Sequence, residues 1–289
     1  MGRRFVPRRV AHAAAVVIML LAPAVAASAP TGLIDIGGYR LFIDCRGTGS
    51  PAVVLDIGLG GSGAIWSDVQ RRASKTTRVC SYDRAGRFRS DPRPGAGVAT
   101  TDLVVRELHA LLTNAHVQPP YVLGGHSIGG LTMRYFALRF PDEVKGLVMA
   151  DSSYEAQFTI GSPVVSSGGE TIDAGAASQE LLKSGDLGSR PLVVLEHGIP
   201  FGPDNFGGEA PPPGFEIVWR AFQKRIAQMS TNSRLVIAKR AGHVIPRDQP
   251  RIVAEAIRQV VVAVRRNAKL RACKQTFPRV GGRCLSVRP

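Results

Sequence analysis

Short apolar runs recur along this chain and alternate with longer stretches in which apolar side chains have helical spacing. Because these runs lack apolar–polar alternation, they are typical of strands buried on both faces of a parallel sheet. The runs are residues 53–55, 78–82, 121–123, 147–150, 191–195 and 235–238, and the helical stretches are residues 101–115, 131–140, 214–229 and 249–264. Strands that alternate with helices predict an α/β fold with a mostly parallel central sheet.

Two partly alternating segments come first, residues 33–36 and 39–45, with Gly37 and Gly38 between them. Such segments joined by two glycines predict an antiparallel hairpin, which we place at the edge of the sheet. The sheet is therefore expected to contain about eight strands flanked by helices, within one domain.

A tight turn joins the run at residues 121–123 to the following helix, and it contains Gly125, Ser127 and Gly129. Glycine has no Cβ, and so the two glycines allow a sharp bend on either side of the serine. Ser127 then lies at the N-terminus of the helix, where free N–H groups face a developing negative charge. Strand, Gly-x-Ser-x-Gly turn and helix together indicate a nucleophile elbow for acyl transfer through a serine.

Chemistry-bearing residues follow the carboxyl ends of the other predicted strands, where open α/β sheets gather their functional groups. These residues are Gly58 to Gly61, Asp151, Glu196 and His243. With Ser127 they give the chain order serine, acid, histidine. The chain resembles the α/β-hydrolase superfamily in this order and in residues 53–63, 78–91, 120–130, 141–153 and 241–257, within residues 31–265 overall.

The resemblance implies an α/β-hydrolase fold with a small cap, Ser127 as nucleophile and His243 as general base, without a metal or another cofactor. A serine at the elbow, rather than an aspartate, argues against epoxide hydrolases and haloalkane dehalogenases. Among the other histidines, His126 is the second residue of the elbow motif and is expected to point away. His197 follows the penultimate strand, and its position suits a neighbour of the acid.

The acid of the triad has three candidates. Members of the superfamily usually carry it after the penultimate strand, often as Gly-x-x-Asp, but here Phe201 stands three places after Gly198. We favour Asp151, which ends the strand after the elbow helix, over Asp204 and then Glu196. The acid orients the histidine and stabilises its cation.

The oxyanion hole requires two backbone N–H groups. The resemblance implies that Ile128 supplies one and Leu59 the other, with Gly60 as the alternative to Leu59. The usual His-Gly pair of this loop is replaced by Ile57-Gly58.

The cap insertion corresponds to residues 152–190, which are rich in Gly, Ser and Ala. Such a segment is expected to be a mobile lid or a poorly ordered excursion. Tyr154, Phe158 and Ile160 from the cap, and Trp66 from the oxyanion loop, are candidates for the lining of an acyl pocket.

The N-terminus has the pattern of a signal peptide. Four arginines precede an apolar stretch at residues 10–21, and Ala24-Val25-Ala26 is a suitable cleavage site. Residues 1–26 are therefore expected to direct the protein to a secreted, periplasmic or cell-envelope location. Four cysteines suit an oxidising compartment. The resemblance places Cys45 and Cys80 on neighbouring strands, where a disulfide is a hypothesis, and a disulfide between Cys273 and Cys284 would hold the C-terminal tail. Four cysteines allow three connectivities, and the sequence alone does not choose among them.

The formal net charge is +15, and residues 265–289 carry eight Lys or Arg and no Asp or Glu. A basic tail, residues 266–289, could hold the protein near an anionic cell surface or another polyanion, and a solvated terminus is the alternative. Aromatic residues do not interleave with the basic ones, which argues against nucleic-acid binding.

These features predict an exported serine hydrolase domain, residues 27–265, that cleaves small-molecule or lipid carboxylic esters through an acyl-enzyme on Ser127. Lactonase, thioesterase, amidase or peptidase action on the same fold are alternatives, since fold does not determine substrate. The alternative from another class is a non-catalytic binding protein that retains the triad. The sequence does not predict the oligomeric state.

Overall fold

The computed structural model describes residues 1–2, 29–95 and 97–287, so the predicted signal peptide lies almost entirely outside the described residues. The strands are β1 Thr31–Asp35, β2 Arg40–Arg46, β3 Ala52–Asp56, β4 Val79–Tyr82, β5 Ala99–Thr100, β6 Tyr121–His126, β7 Val144–Ala150, β8 Val164–Ser167, β9 Glu170–Asp173, β10 Leu192–His197, β11 Ser233–Ala238 and β12 Gly282–Leu285. The α-helices are α1 Ser67–Ala73, α2 Thr101–Asn114, α3 Ile128–Arg139, α4 Ala156–Ile160, α5 Gly175–Ser184, α6 Phe215–Gln228, α7 Ile245–Asp248, α8 Pro250–Arg266 and α9 Cys273–Thr276, with 3₁₀ turns at Gly63–Trp66, Pro203–Asn205 and Phe277–Val280.

The central sheet has nine strands among the described residues, in the order β1-β2-β4-β3-β6-β7-β10-β11-β12. Strands β4, β3, β6, β7, β10 and β11 are parallel to one another, whereas β1, β2 and β12 pair antiparallel at the two ends. All five residues of β3 and all six of β6 and β10 are buried, because helices cover both faces of the sheet. The predicted fold class, a mostly parallel sheet flanked by helices, is confirmed.

Two apolar cores lie on opposite faces of the sheet. Alternate residues of β3 enter them: Val54 packs into the core that includes Leu108 of α2 and Phe136 of α3. Val53 and Leu55 pack into the other core, against α1 and the amphipathic helix α8. This double coverage holds the carboxyl ends of the parallel strands rigidly at one edge, which is where the predicted site residues lie.

Of the three possible connectivities, the structure has the two disulfides that were hypothesised. Cys45 of β2 and Cys80 of β4 are direct partners in the antiparallel register of those strands, and they are bonded. Cys273 and Cys284 form the second disulfide. Two disulfides are consistent with an extracellular protein. In the part of the chain that the structure describes, no helix combines the length and apolarity needed to cross a membrane.

The C-terminal segment is more structured than the sequence predicted. It folds into α9, a 3₁₀ turn and β12, and β12 pairs with β11 so that Cys284 lies opposite Val236. The ninth strand was missed because Gly282-Arg283-Cys284-Leu285 contains no apolar run, as is usual for a short strand at the edge of a sheet.

The cap is folded rather than poorly ordered. Strands β8 and β9 form a hairpin around Gly168 and Gly169, whose φ values of 56° and 77° favour glycine. Strand β9 also pairs with β5, and α5 buries Ala177 and Leu181 against the main core. The two glycines that reduce the apolar content of this segment are the residues that form its turn.

Candidate active site

The backbone bends sharply at Ser127, which has φ 54° and ψ −128° between β6 and α3. A positive φ costs a non-glycine residue about 1–2 kcal/mol, so surrounding contacts must enforce it. A Cβ on Gly125 would lie 2.4 Å from the Cα of Gly130, and a Cβ on Gly129 would lie 2.6 Å from the carbonyl oxygen of Ile57. The glycines therefore permit the close packing that holds the serine in a strained turn.

Asp151 and His243 meet at the same edge of the sheet. Asp151 follows β7 with φ 48° and is fully buried, and its Oδ2 lies 2.7 Å from Nδ1 of His243. The side chain of His243 is 17% exposed. The backbone ties Ser127 to this turn, because Ser153 N–H donates to the carbonyl of Ser127 at 2.9 Å. The structure thus brings together the histidine and the acid that we favoured, beside the elbow.

The two alternative acids have other surroundings. Asp204 lies exposed in the 3₁₀ turn Pro203–Asn205. Glu196 forms an ion pair with Arg220 of α6. Neither has a contact with His243 among the described residues. The geometry therefore favours Asp151, although the roles of all these residues remain predictions.

His197 is a second histidine on the same acid. Its Nδ1 lies 3.0 Å and 2.8 Å from the two carboxylate oxygens of Asp151, and its backbone N–H donates to Oδ1 at 3.2 Å. Its Nε2 lies 3.0 Å from Oε1 of Glu216. Each ring nitrogen faces a carboxylate, and so both must carry a proton for both contacts to be hydrogen bonds. The geometry indicates a buried imidazolium between two carboxylates.

The directions in which the pKa values of Asp151 and His197 shift agree with the geometry. Burial by itself would lower the pKa of His197, but the hydrogen bonds and charges of Asp151 and Glu216 outweigh burial and raise it. For Asp151 burial by itself would raise the pKa, but hydrogen bonds from His197 and His243 outweigh burial and lower it. The acid therefore stays ionised throughout the neutral range.

Alternating charges continue from His197 to the surface. Glu216 lies 2.5 Å from Arg220, and Arg220 also contacts Glu196. Helix α6 supplies Glu216 and Arg220 one turn apart, because residues four positions apart share a helix face. Glu196 is thus connected to Asp151 through Arg220, Glu216 and His197, and it does not contact His243.

His126 does not point away, contrary to our expectation. Its Nε2 lies 2.8 Å from the carbonyl oxygen of His243, and the two ring centroids are 4.6 Å apart. Burial lowers the pKa of His126 to about 3, so the ring is neutral and Nε2–H donates to that carbonyl. His126 therefore fixes the backbone of the loop that carries His243.

The predicted oxyanion loop lies directly against the elbow. A Cβ on Gly58 would lie 3.1 Å from the Cβ of Ser127. The N–H of Gly60, our alternative donor, is already donated to Oε2 of Glu170 at 2.7 Å. Leu59 N–H has no acceptor in the described part of the chain, and Ile128 N–H is the first of α3 and has none within the helix. The geometry favours Leu59 over Gly60.

Aromatic side chains surround His243 on the side of α6. The Phe201 ring lies 5.0 Å from the His243 ring and 4.7 Å from the His197 ring, between centroids. Trp219 lies 5.4 Å from His243 and 5.1 Å from Phe201. The sequence did not single out these rings, because nothing in the local pattern shows which loop or helix closes over the histidine.

The pocket residues expected from the sequence have different environments. Trp66 is 1% exposed and packs in the core beneath α8, so it cannot line an open pocket. Phe158 is buried, whereas Ile160 is 85% exposed. Tyr154 is half-buried and lies 5.0 Å from the Phe222 ring. Among the described residues, no cluster of three or more His, Cys, Asp or Glu side chains is arranged to hold a metal ion.

Comparisons with known proteins agree with this fold. A family profile described as "alpha/beta hydrolase fold" matches residues 51–184. The uncharacterized protein YqjL of Bacillus subtilis is 28% identical over 244 residues, which are 81% of this chain and 89% of YqjL. The probable transporter efuK of Hormonema carpetanum is 33% identical over 130 residues, 43% of this chain, and the match spans 19% of that protein. A thermophilic esterase of Thermogutta terrifontis, solved with malate bound, aligns at a TM-score of 0.60 and 21% identity, over 82% of this chain and 99% of the esterase.

Proposed function

We propose that this chain, which has the α/β-hydrolase fold, is a serine hydrolase that cleaves carboxylic esters through an acyl-enzyme on Ser127. The observation that carries this proposal is the contact between His243 Nδ1 and the buried Asp151 carboxylate, beside the strained elbow serine. Because Asp151 holds Nδ1, the other ring nitrogen of His243 is left to act on the serine.

The reaction follows from these groups. Ser127 Oγ attacks the ester carbonyl carbon, and its proton passes to Nε2 of His243. The tetrahedral intermediate collapses, the C–O bond to the alcohol breaks, and the alcohol leaves with the proton from His243. Water then attacks the acyl-enzyme by the same route and releases the acid. Ionised Asp151 stabilises the imidazolium formed in each half-reaction.

The N–H groups of Leu59 and Ile128 stabilise the oxyanion in this proposal. Both are backbone donors, so replacing the usual histidine of the loop by Ile57 does not remove either. Each donor of such a hole contributes about 10²–10³ in rate.

The aromatic surface of Phe201 and Trp219 beside His243 supports an ester with an apolar acyl or alcohol group, from a small molecule or a lipid. Export through residues 1–26 is part of the proposal and is supported by the two disulfides. We also propose that the basic C-terminal residues hold the enzyme near an anionic surface. Lactones, thioesters and amides remain alternative substrates on this fold.

Covalent labelling tests the proposal. The full-length protein, purified without reductant, is treated with a fluorophosphonate probe and assayed on p-nitrophenyl esters from acetate to palmitate. We expect Ser127→Ala and His243→Ala to abolish labelling and turnover. Asp151→Asn should reduce both strongly, and the matched variant Asp204→Asn should leave them unchanged.

The same assay separates the two classes of function. A folded wild-type protein that neither labels nor turns over any ester would refute the hydrolase proposal and favour a binding protein. A large loss in Asp204→Asn, with little loss in Asp151→Asn, would transfer the role of acid to Asp204.

A further inference from the structure

Arg84 is a buried arginine directly after β4, and it is 3% exposed. Its guanidinium group has five N–H donors, and the structure provides five acceptors. Nη1 donates to Oδ1 of Asp56 at 2.5 Å and to the carbonyl of Ile57 at 2.8 Å, and Nη2 donates to the carbonyl of Gly58 at 3.0 Å. The remaining two donors, from Nε and Nη2, reach the carboxylate of Glu170 at 2.6 Å and 2.9 Å.

Glu170 comes from the cap, where it is the first residue of β9. Its side chain is 9% exposed, and besides the bidentate pair with Arg84 it accepts the N–H of Gly60 at 2.7 Å. Burial alone would raise the pKa of Glu170, but the hydrogen bonds and charge of Arg84 outweigh burial and lower it. The tip of the cap hairpin also lies on this loop, since a Cβ on Gly60 would be 2.6 Å from the carbonyl oxygen of Ser167.

These contacts bracket one peptide unit. The carbonyl of Gly58 and the N–H of Leu59 belong to the same planar trans peptide, in which the two groups point in opposite directions. Arg84 donates to the carbonyl of Gly58 from one side, and the N–H of Gly61 also donates to it at 3.1 Å. Together these two bonds fix the direction of the Leu59 N–H on the other side. Glu170 holds both the guanidinium group of Arg84 and the next N–H along the chain, that of Gly60.

We propose that Glu170 of the cap and Arg84 of the core are positioning residues for the oxyanion hole, which aim the N–H of Leu59 at the oxyanion. In this proposal the cap also helps to orient a donor of the oxyanion hole. The inference rests on the proposed serine hydrolase function. It predicts that the loss of Glu170 weakens stabilisation of the transition state while substrate binding is largely retained.

The test compares oxygen esters with their thionoester analogues, in which the carbonyl oxygen is replaced by sulfur. Sulfur accepts hydrogen bonds weakly, so a thionoester gains little from the oxyanion hole. For Glu170→Ala we expect kcat on the oxygen ester to fall by about 10–100-fold with KM nearly unchanged. The thionoester rate should fall much less, so the ratio of the oxygen-ester rate to the thionoester rate should decrease strongly.

Two further variants refine the test. Glu170→Gln preserves the size of the side chain and one acceptor, and its ratio should fall between those of wild type and Glu170→Ala. Glu180→Ala is the matched control, because Glu180 is also a cap glutamate. Its side chain is half-exposed on α5, its carboxylate lies 4.0 Å from Nη1 of Arg139, and among the described residues it has no contact with Arg84. Its ratio should equal that of wild type.

The outcomes separate this inference from the function on which it rests. Absence of Ser127-dependent turnover in the wild-type protein would refute the proposed function itself. If the wild-type protein is active and Glu170→Ala loses the same factor on both ester types, or loses nothing, the positioning role is wrong.

Discussion

Replacing His197 by glutamine tests whether the triad acid rests on a buried cation. The imidazolium makes one charged side-chain contact with Asp151 and one with Glu216, and the ring is fully buried. A hydrogen bond to a charged group contributes about 1.5–3 kcal/mol, and the glutamine amide can replace one of the two donors, so we expect the free energy of unfolding to fall by the value of one such bond, about 1.5–3 kcal/mol. Asp151 retains its bonds from His243 and from the backbone of residue 197.

The pH dependence of the free energy of unfolding tests whether the His197 ring is charged. The pKa of His197 is raised in the folded protein, so its stabilisation is fully present below the unfolded-state pKa of about 6.5 and is lost as the pH rises through the folded-state value. Urea unfolding of wild type and His197→Gln at pH about 6 and at pH about 9 measures this difference. We expect the gap in the free energy of unfolding to be larger at the lower pH.

His109→Gln is the matched control, because His109 faces one partly exposed carboxylate, Glu143, at 3.1 Å. Its effect should stay below about 1 kcal/mol. A gap for His197→Gln that is the same at both pH values would refute a buried imidazolium, and a gap no larger than that of His109→Gln would refute its contribution to stability.

Three other perturbations have defined outcomes. Gly58→Ala places a Cβ 3.1 Å from that of Ser127 and 3.0 Å from Nδ1 of His126, so kcat should fall at least tenfold; full activity on p-nitrophenyl acetate would contradict the proximity of this loop to the nucleophile. Cys284→Ser opens the disulfide to Cys273, whose 11-residue separation corresponds to about 3 kcal/mol of chain entropy; thermal unfolding that matches wild type would show that this end is held by β12 pairing alone. Phe201→Ala removes an apolar ring 5.0 Å from His243 and should lower kcat/KM for long-chain esters more than for acetate, whereas an equal loss on all chain lengths would show a role in packing of the histidine and not in substrate contact.

The elements with the clearest sequence signal were those in which local pattern and burial coincide. Strand β10, for example, is buried along its whole length, and such a strand leaves an uninterrupted apolar run in the sequence. The elbow was recognised because a positive φ at Ser127 and the tight contacts of Gly125 and Gly129 admit few other residues. At β10 and at the elbow, burial and backbone geometry restrict which residue types can stand at each position, and so the structure can be recognised from the local sequence.

The side chains that hold the site residues in place do so through contacts between distant segments of the chain, and such contacts leave no local pattern in the sequence. Arg84 and Glu170 are 86 positions apart, and one lies in the core and the other in the cap. The contact of His197 with Glu216 requires α6 to pack against the end of β10. A glutamate on an amphipathic helix is ordinarily solvated, so the sequence alone gave no reason to place this one beside the acid of the triad.

The disulfide-linked C-terminal segment also covers one edge of the central sheet. Without β12, the six residues of β11 would form the edge of the sheet, with the apolar run of Leu235, Val236 and Ile237 beside unpaired backbone groups. An exposed edge of this kind is a template for pairing with another chain. Strand β12 covers it with a four-residue strand that carries Arg283 and is tied back through Cys284. We therefore expect β12 to act against aggregation, and a protein shortened before Cys273 to self-associate even where its active site is intact.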